Sequence, residues 1–165
     1  MKTFLLITIF FSQLSFGVDI HQAKIDALLD GLHKDAHEGN FQAYFARYTE
    51  DAVFLGTDKT ERWTINEFKS YAKPAFADGH GWTYTVEERN WEGTGDMRWF
   101  DEILFNEKLG YCRGTGVIQL QNEQWKIAHY ALTMLVPNSI ATEICLLYTS
   151  PSPRDRTRSR MPSSA

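Results

Sequence analysis

Apolar residues recur at helical spacing from Ile20 to about Glu38: Ile25, Leu28, Leu29, Leu32 and Ala36 form one stripe, and Lys24, Asp26, Asp30, Lys34 and Asp35 surround it. The pattern predicts an amphipathic helix ended by Gly39. Asn40 can cap a second, shorter helix that buries Phe41, Tyr44, Phe45 and Tyr48. A short strand, Ala52 to Leu55, turns at Gly56-Thr57-Asp58, and Thr64-Ile-Asn-Glu67 is a capping box that opens a third helix. That helix carries Ile65, Phe68 and Ala72 inward and is kinked or stopped near Pro74.

After Asp78-Gly-His-Gly81 the period becomes two. Trp82, Tyr84 and Val86 alternate with Thr83, Thr85 and Glu87; Gly93 to Asp96 turns the chain; Trp99, Asp101, Ile103 and Phe105 then alternate with Phe100, Glu102 and Leu104. Gly110 to Met134 reads as a hairpin with a four-residue connection, Gln121-Asn-Glu-Gln124. Helices followed by four antiparallel strands predict an α+β fold, a cone in which N-terminal helices pack in a curved antiparallel sheet. The last three strands are apolar on both faces, which predicts a homodimer through the sheet.

Two segments stand outside this pattern. Met1 to about Gly17 has a basic start, an apolar centre and a small-x-small end, the form of a signal peptide for a periplasmic or extracellular protein. It is too short for stable membrane insertion, and it lacks the capping and polar face of a core helix. The stretch 145–165 shifts abruptly to Pro, Ser and Arg. Back-translated, it resembles a sequencing-library adaptor, so it is expected to be a non-native tail that replaces the natural C-terminus; the alternative is a flexible basic tail for nucleic acid or an acidic surface. The domain is then 18–144, with 12 Lys and Arg against 20 Asp and Glu, a net charge of −8. That charge argues against nucleic acid as a partner. Cys112 is the domain's one cysteine, so stability must come from the core.

Asp101, Arg113 and His129 interrupt strands otherwise suited to a packed sheet, and such groups persist only when paired or facing a cavity. They are the candidate catalytic residues: Asp101 as general base or ligand anchor, Arg113 to stabilise negative charge, His129 to shuttle a proton. The alternative is a paired Asp and Arg that fix strand register beside a core His. Asp58, Glu61 and Trp63 lie on the loop before the capped helix, at the expected mouth of the cone, with Trp63 either closing over a ligand or packing the loop. The aromatic residues Trp99, Tyr111 and Tyr130 complete the ligand-binding set.

His33 and His37 are one helical turn apart, but Lys34 stands where a zinc protease needs Glu, so they read as surface histidines and no metal is expected. Gly114-Thr-Gly116 lies within a strand and marks a bulge or a close backbone approach rather than a phosphate loop. No Gly-x-Ser-x-Gly elbow is present, and no cofactor is expected.

Gly56-Thr-Asp58, Glu61-Arg-Trp63, Trp99-Phe-Asp-Glu102, Cys112-Arg-Gly-Thr-Gly116, Trp125-Lys-Ile127 and Pro137-Asn138 together resemble the SnoaL-like branch of the nuclear transport factor 2 superfamily, over about residues 20 to 140. The resemblance implies a cone with an internal pocket and frequent dimerisation; members include isomerases, cyclases, hydrolases and many proteins without an assigned activity. The expected function is binding of a small, apolar or partly polar molecule. The alternatives are a metal-independent acid-base enzyme using Asp101, or a non-catalytic protein-interaction module.

Overall fold

A computed structural model describes residues 20–149. The signal-like start and 150–165 of the tail lie outside the described residues.

Helix α1 (Ile20–His37) places Ile25, Leu29 and Leu32 in the core, as its apolar stripe requires. Helix α2 (Phe41–Ala46) follows at once; Asn40 occupies the N-cap but donates its side-chain amide to Asp35 instead of capping. Arg47 closes the α1–α2 corner with a 2.7 Å ion pair to the buried Asp35. Strand β1 (Tyr48–Leu55) is longer than the pattern predicts, and β2 (Arg62–Thr64) pairs back on it. The capping box at Thr64 and Glu67 forms as expected and opens helix α3 (Ile65–Phe76). Pro74 does not stop this helix, which continues two residues beyond it.

Strands β3 (Thr85–Glu92), β4 (Met97–Asn106), β5 (Gly110–Gln121) and β6 (Gln124–Met134) form the expected antiparallel meander. The β5–β6 connection is shorter than four residues: Gln121 pairs with Gln124, and Asn122 and Glu123 turn the chain with φ of 48° and 64°. Two consecutive left-handed residues make the tight hairpin turn whose twist matches that of the strands.

The six strands lie in the order β2-β1-β6-β5-β4-β3. β1 runs parallel to β6, so the sheet is mixed rather than wholly antiparallel. The helices cover the inner face, where Phe54 of β1 stacks on Phe68 of α3 at 3.8 Å between ring centroids. After Met134 a short turn (Asn138–Ile140) leads into helix α4 (Ala141–Thr149), which crosses the expected boundary at 145 and leaves Leu146 and Leu147 exposed. Among the described residues no helix is long and apolar enough to cross a membrane.

Candidate functional site

Alternation along β4 places Arg98, Phe100, Glu102 and Leu104 on the inner face. Glu102 is fully buried. A buried carboxylate is costly unless paired, and here two donors meet it. Arg89 Nε of the neighbouring strand β3 donates to Oε1 at 2.7 Å, and His33 Nε2 of α1 donates to Oε2 at 2.8 Å. Arg89 Nη1 reaches Asp30 at 2.8 Å and Asp26 at 3.5 Å, tying the outer face of α1 to the same centre. Burial works against the Arg89 charge, and Glu102 and Asp30 more than restore it.

Beside this cluster is a cavity of about 30 Å³ lined by Leu32, His33, Ala36, Tyr44, Phe54, Trp82, Tyr84, Tyr130 and Leu132. It is room for a water molecule, not for a substrate. Aromatic side chains fill the rest of the cone: Tyr130 stacks on Phe54 at 5.6 Å, and Tyr44 lies parallel to Trp82 at 6.1 Å. Trp82 and Tyr84 reach the cavity from the irregular segment 77–84 between α3 and β3. That segment is pinned through Thr83, whose hydroxyl meets His37 Nδ1 and whose carbonyl accepts from Asn106, both at 2.9 Å.

The phenols are protected from ionisation. Burial pushes Tyr44, Tyr48 and Tyr130 well above the ordinary range, and Glu102's negative charge adds to the effect on Tyr48 and Tyr130. Tyr84, less buried, is pushed up to about 12. Tyr44 and Tyr48 share a hydroxyl contact of 3.1 Å, whereas the hydroxyls of Tyr84 and Tyr130 have no hydrogen-bond partner among the described residues. A Cβ at Gly114 would run into the Tyr130 hydroxyl, so the glycine there marks a close approach, as the strand pattern suggests.

The expected triad lies elsewhere. Asp101, Arg113 and His129 share one face of the sheet, but it is the outer face, turned away from the helices. Asp101 stands opposite Thr115, Arg113 opposite Ile103 and His129 opposite Val117, and no hydrogen bond or ion pair joins the three. Two causes explain the difference. On β4 the outward set, Trp99, Ile103 and Phe105, is at least as apolar as the inward one, so alternation alone gives no parity. On β6 the register shifts at Ala128, which sends His129 outward and Tyr130 inward.

Of the expected ligand-binding residues, Tyr130 lines the cavity. Trp99 and Tyr111 are about half exposed on the outer face. Trp63 packs the loop, stacked on Tyr71 at 4.4 Å, and Asp58 and Glu61 hold the loop itself: Asp58 accepts from Thr60, which lowers its carboxyl, and Glu61 accepts from the Asp58 amide. His37 is exposed, as expected, whereas His33 is not a surface group. His33 is 11% exposed and bound to Glu102, and His37 is bound to Thr83. Helical spacing offered a signal, since His33 follows Leu29 by four residues on the apolar stripe. Among the described residues no group of three or more His, Cys, Asp or Glu could hold a metal ion.

The arrangement can do acid-base chemistry. The buried Glu102 carboxylate orients the His33 ring through Nε2, and in the tautomer that donates from Nε2 the other ring nitrogen, Nδ1, is the acceptor. Residues 25–137 match the SnoaL-like domain family. The chain belongs to that family. No curated protein sequence matches this SnoaL-like domain. Its fold is similar to that of an NTF2-like protein of unknown function from Pseudomonas putida KT2440, with 13% identity, a TM-score of 0.60, and coverage of 73% of this chain and 89% of the other. A cystatin-like domain of unknown function from Nostoc punctiforme is similar at 13% identity and a TM-score of 0.61, covering 83% and 90%. A candidate dehydratase of the NTF2-like family from Streptomyces avermitilis matches at 10% identity and a TM-score of 0.60, covering 70% and 96%. At these identities the likeness concerns the SnoaL-like fold alone.

Proposed function

We propose that this SnoaL-like domain binds a small, partly apolar molecule inside the cone, beside His33. The observation that carries the reading is the fully buried Glu102, which holds His33 at the wall of an aromatic cavity lined also by Tyr130, whose hydroxyl has no hydrogen-bond partner among the described residues. Binding requires the segment 77–84 to swing out with Trp82 and Tyr84, because the closed cavity of about 30 Å³ holds no substrate. A thermal-shift screen against small hydrophobic carbonyl compounds and acids tests this, since a ligand of the native state raises the melting temperature. Saturable shifts that vanish in Tyr130→Ala are expected; no shift from any compound, with amide spectra unchanged, would reject the proposal.

The His33–Glu102 pair favours a second reading, a metal-independent acid-base enzyme that uses this pair in place of Asp101. Its mark would be turnover of a bound carbonyl compound that His33→Gln abolishes without weakening binding. The proposal also includes export and a homodimer. The apolar start of the chain supports export, and Met97, Trp99, Phe105 and Tyr111 on the outer face, each exposed by 38% or more, support the dimer. A protein-interaction module would use the same outer face. Sedimentation of Trp99→Glu is expected to show a monomer where the parent chain is a dimer.

A further inference from the structure

We propose that the groove between α2 and α3 is a second binding site, one that takes a small amphiphilic acid: its apolar body against Phe41 and Phe76, its carboxylate beside Lys69 and Lys73. The groove is separate from the cavity beside His33 and shares no lining residue with it. Space, floor and charge each support the assignment.

The groove has a volume of about 490 Å³ against about 30 Å³ for the inner cavity, and that is the size of a small-molecule site. It lies open at the surface. Of the segment 77–84 only Ala77 lines it, so a ligand enters without Trp82 or Tyr84 moving.

Its floor is aromatic and fixed. Phe76 is buried and Phe41 half-buried, with their rings edge to face at 5.8 Å. Phe41 rests on Phe45 at 4.7 Å and Phe76 on Tyr44 at 5.4 Å, so the apolar surface is anchored in the core and needs no reordering to receive a ligand.

The charge on the rim has one sign. Lys69 and Lys73 are the only charged residues that line the groove, and neither forms an ion pair among the described residues. Their spacing of four sets them side by side on α3, where like charges repel and an anion relieves both. The Lys69 ammonium lies 5.9 Å from the centre of the Phe45 ring, which places it over the same aromatic cluster. Lys73, in the last turn of α3, also answers the negative end of the helix; Lys69 has no such duty. Two cations left without an acid stand out in a domain with 20 acidic and 12 basic residues, whose Lys34, Arg47 and Arg89 each hold a carboxylate. Across the groove on α2, Gln42 adds an amide that can donate to an anion, whereas the Ser70 hydroxyl is committed to the Asn66 carbonyl at 3.0 Å.

Phenylbutyrate, phenylbutanol and phenylbutylamine share one body and differ in head-group charge. Each is titrated into the full chain at neutral pH, with the backbone amide resonances of α2 and α3 followed and the affinity read by calorimetry. The acid is expected to move those amides saturably and to bind at least about fivefold more tightly than the alcohol, with no saturable binding of the amine. Added salt should weaken the acid and leave the alcohol unchanged. The double variant Lys69→Gln/Lys73→Gln should bind the acid no better than the alcohol, and Tyr130→Ala, in the inner cavity, should bind it as the parent does; should Tyr130→Ala not fold, the amides that move in the parent chain decide. Equal binding of acid and alcohol, an acid affinity unchanged in the double lysine variant, or no saturable movement of the α2 and α3 amides overturns the proposal and leaves the inner site standing. Loss of the acid in folded Tyr130→Ala also overturns it, and assigns the acid to the cavity beside His33 instead.

Discussion

Glu102 is held by donors from two elements, so its removal strands both. Glu102→Leu leaves a largely buried guanidinium without its inner partner and should cost about 3–5 kcal/mol, read as a lower urea midpoint. Gly114 tests the packing around the same centre. A methyl group there meets the Tyr130 hydroxyl, and Gly114→Ala should destabilise by about 1–3 kcal/mol in equilibrium unfolding. Tyr130→Phe removes the atom in the way, so in the double variant a substantial part of that loss should be recovered; strictly additive losses would show that the clash lies with the backbone.

At the scale of elements, the β5–β6 turn places Glu123 at φ 64°, a conformation that an L side chain adopts at a cost of about 1 kcal/mol. Glu123→Gly creates the Asn-Gly turn and should raise the unfolding free energy by about 0.5–1 kcal/mol. Elements were far more legible in the sequence than the site. Helix α1 shows its stripe, and α3 announces itself through Thr64 and Glu67, because both signals are local. Strand parity is not local. β4 is apolar on both faces, and the choice of Glu102 over Asp101 for the interior depends on His33 and Arg89, which are 69 and 13 residues away in the chain. The shift at Ala128 is equally silent, and strict alternation therefore carries His129 to the wrong face. Tyr130, expected at the site, reaches it through that same shift.

Tyr44, Tyr48 and Tyr130 lie inside the molecule with Tyr84 partly buried beside them, and this makes alkali its weakness. Tyr84 ionises near 12 in the folded chain against an ordinary 10.0, so the folded state holds a proton that the unfolded state loses first. Its contribution is complete below about pH 10 and is lost as the pH rises towards 12; Tyr44, Tyr48 and Tyr130 act in the same direction. Absorbance of tyrosinate at alkaline pH should therefore appear together with the loss of far-ultraviolet circular dichroism, and Tyr84→Phe should move that transition to higher pH. Phe68, with no exposed surface and stacked on Phe54, sits among these rings, and Phe68→Ala should cost about 3–5 kcal/mol by denaturant titration.

The parallel seam between β1 and β6 has a consequence for how the chain comes into being. On the ribosome the first third of the polypeptide emerges with only the short β2 to follow as an early strand partner, since β6, the other neighbour of β1, is translated last in the sheet. Such distant partners make acquisition of the native state slow. Nascent chains arrested before residue 124 should stay protease-sensitive throughout, and those extended past residue 134 should become resistant in a single step.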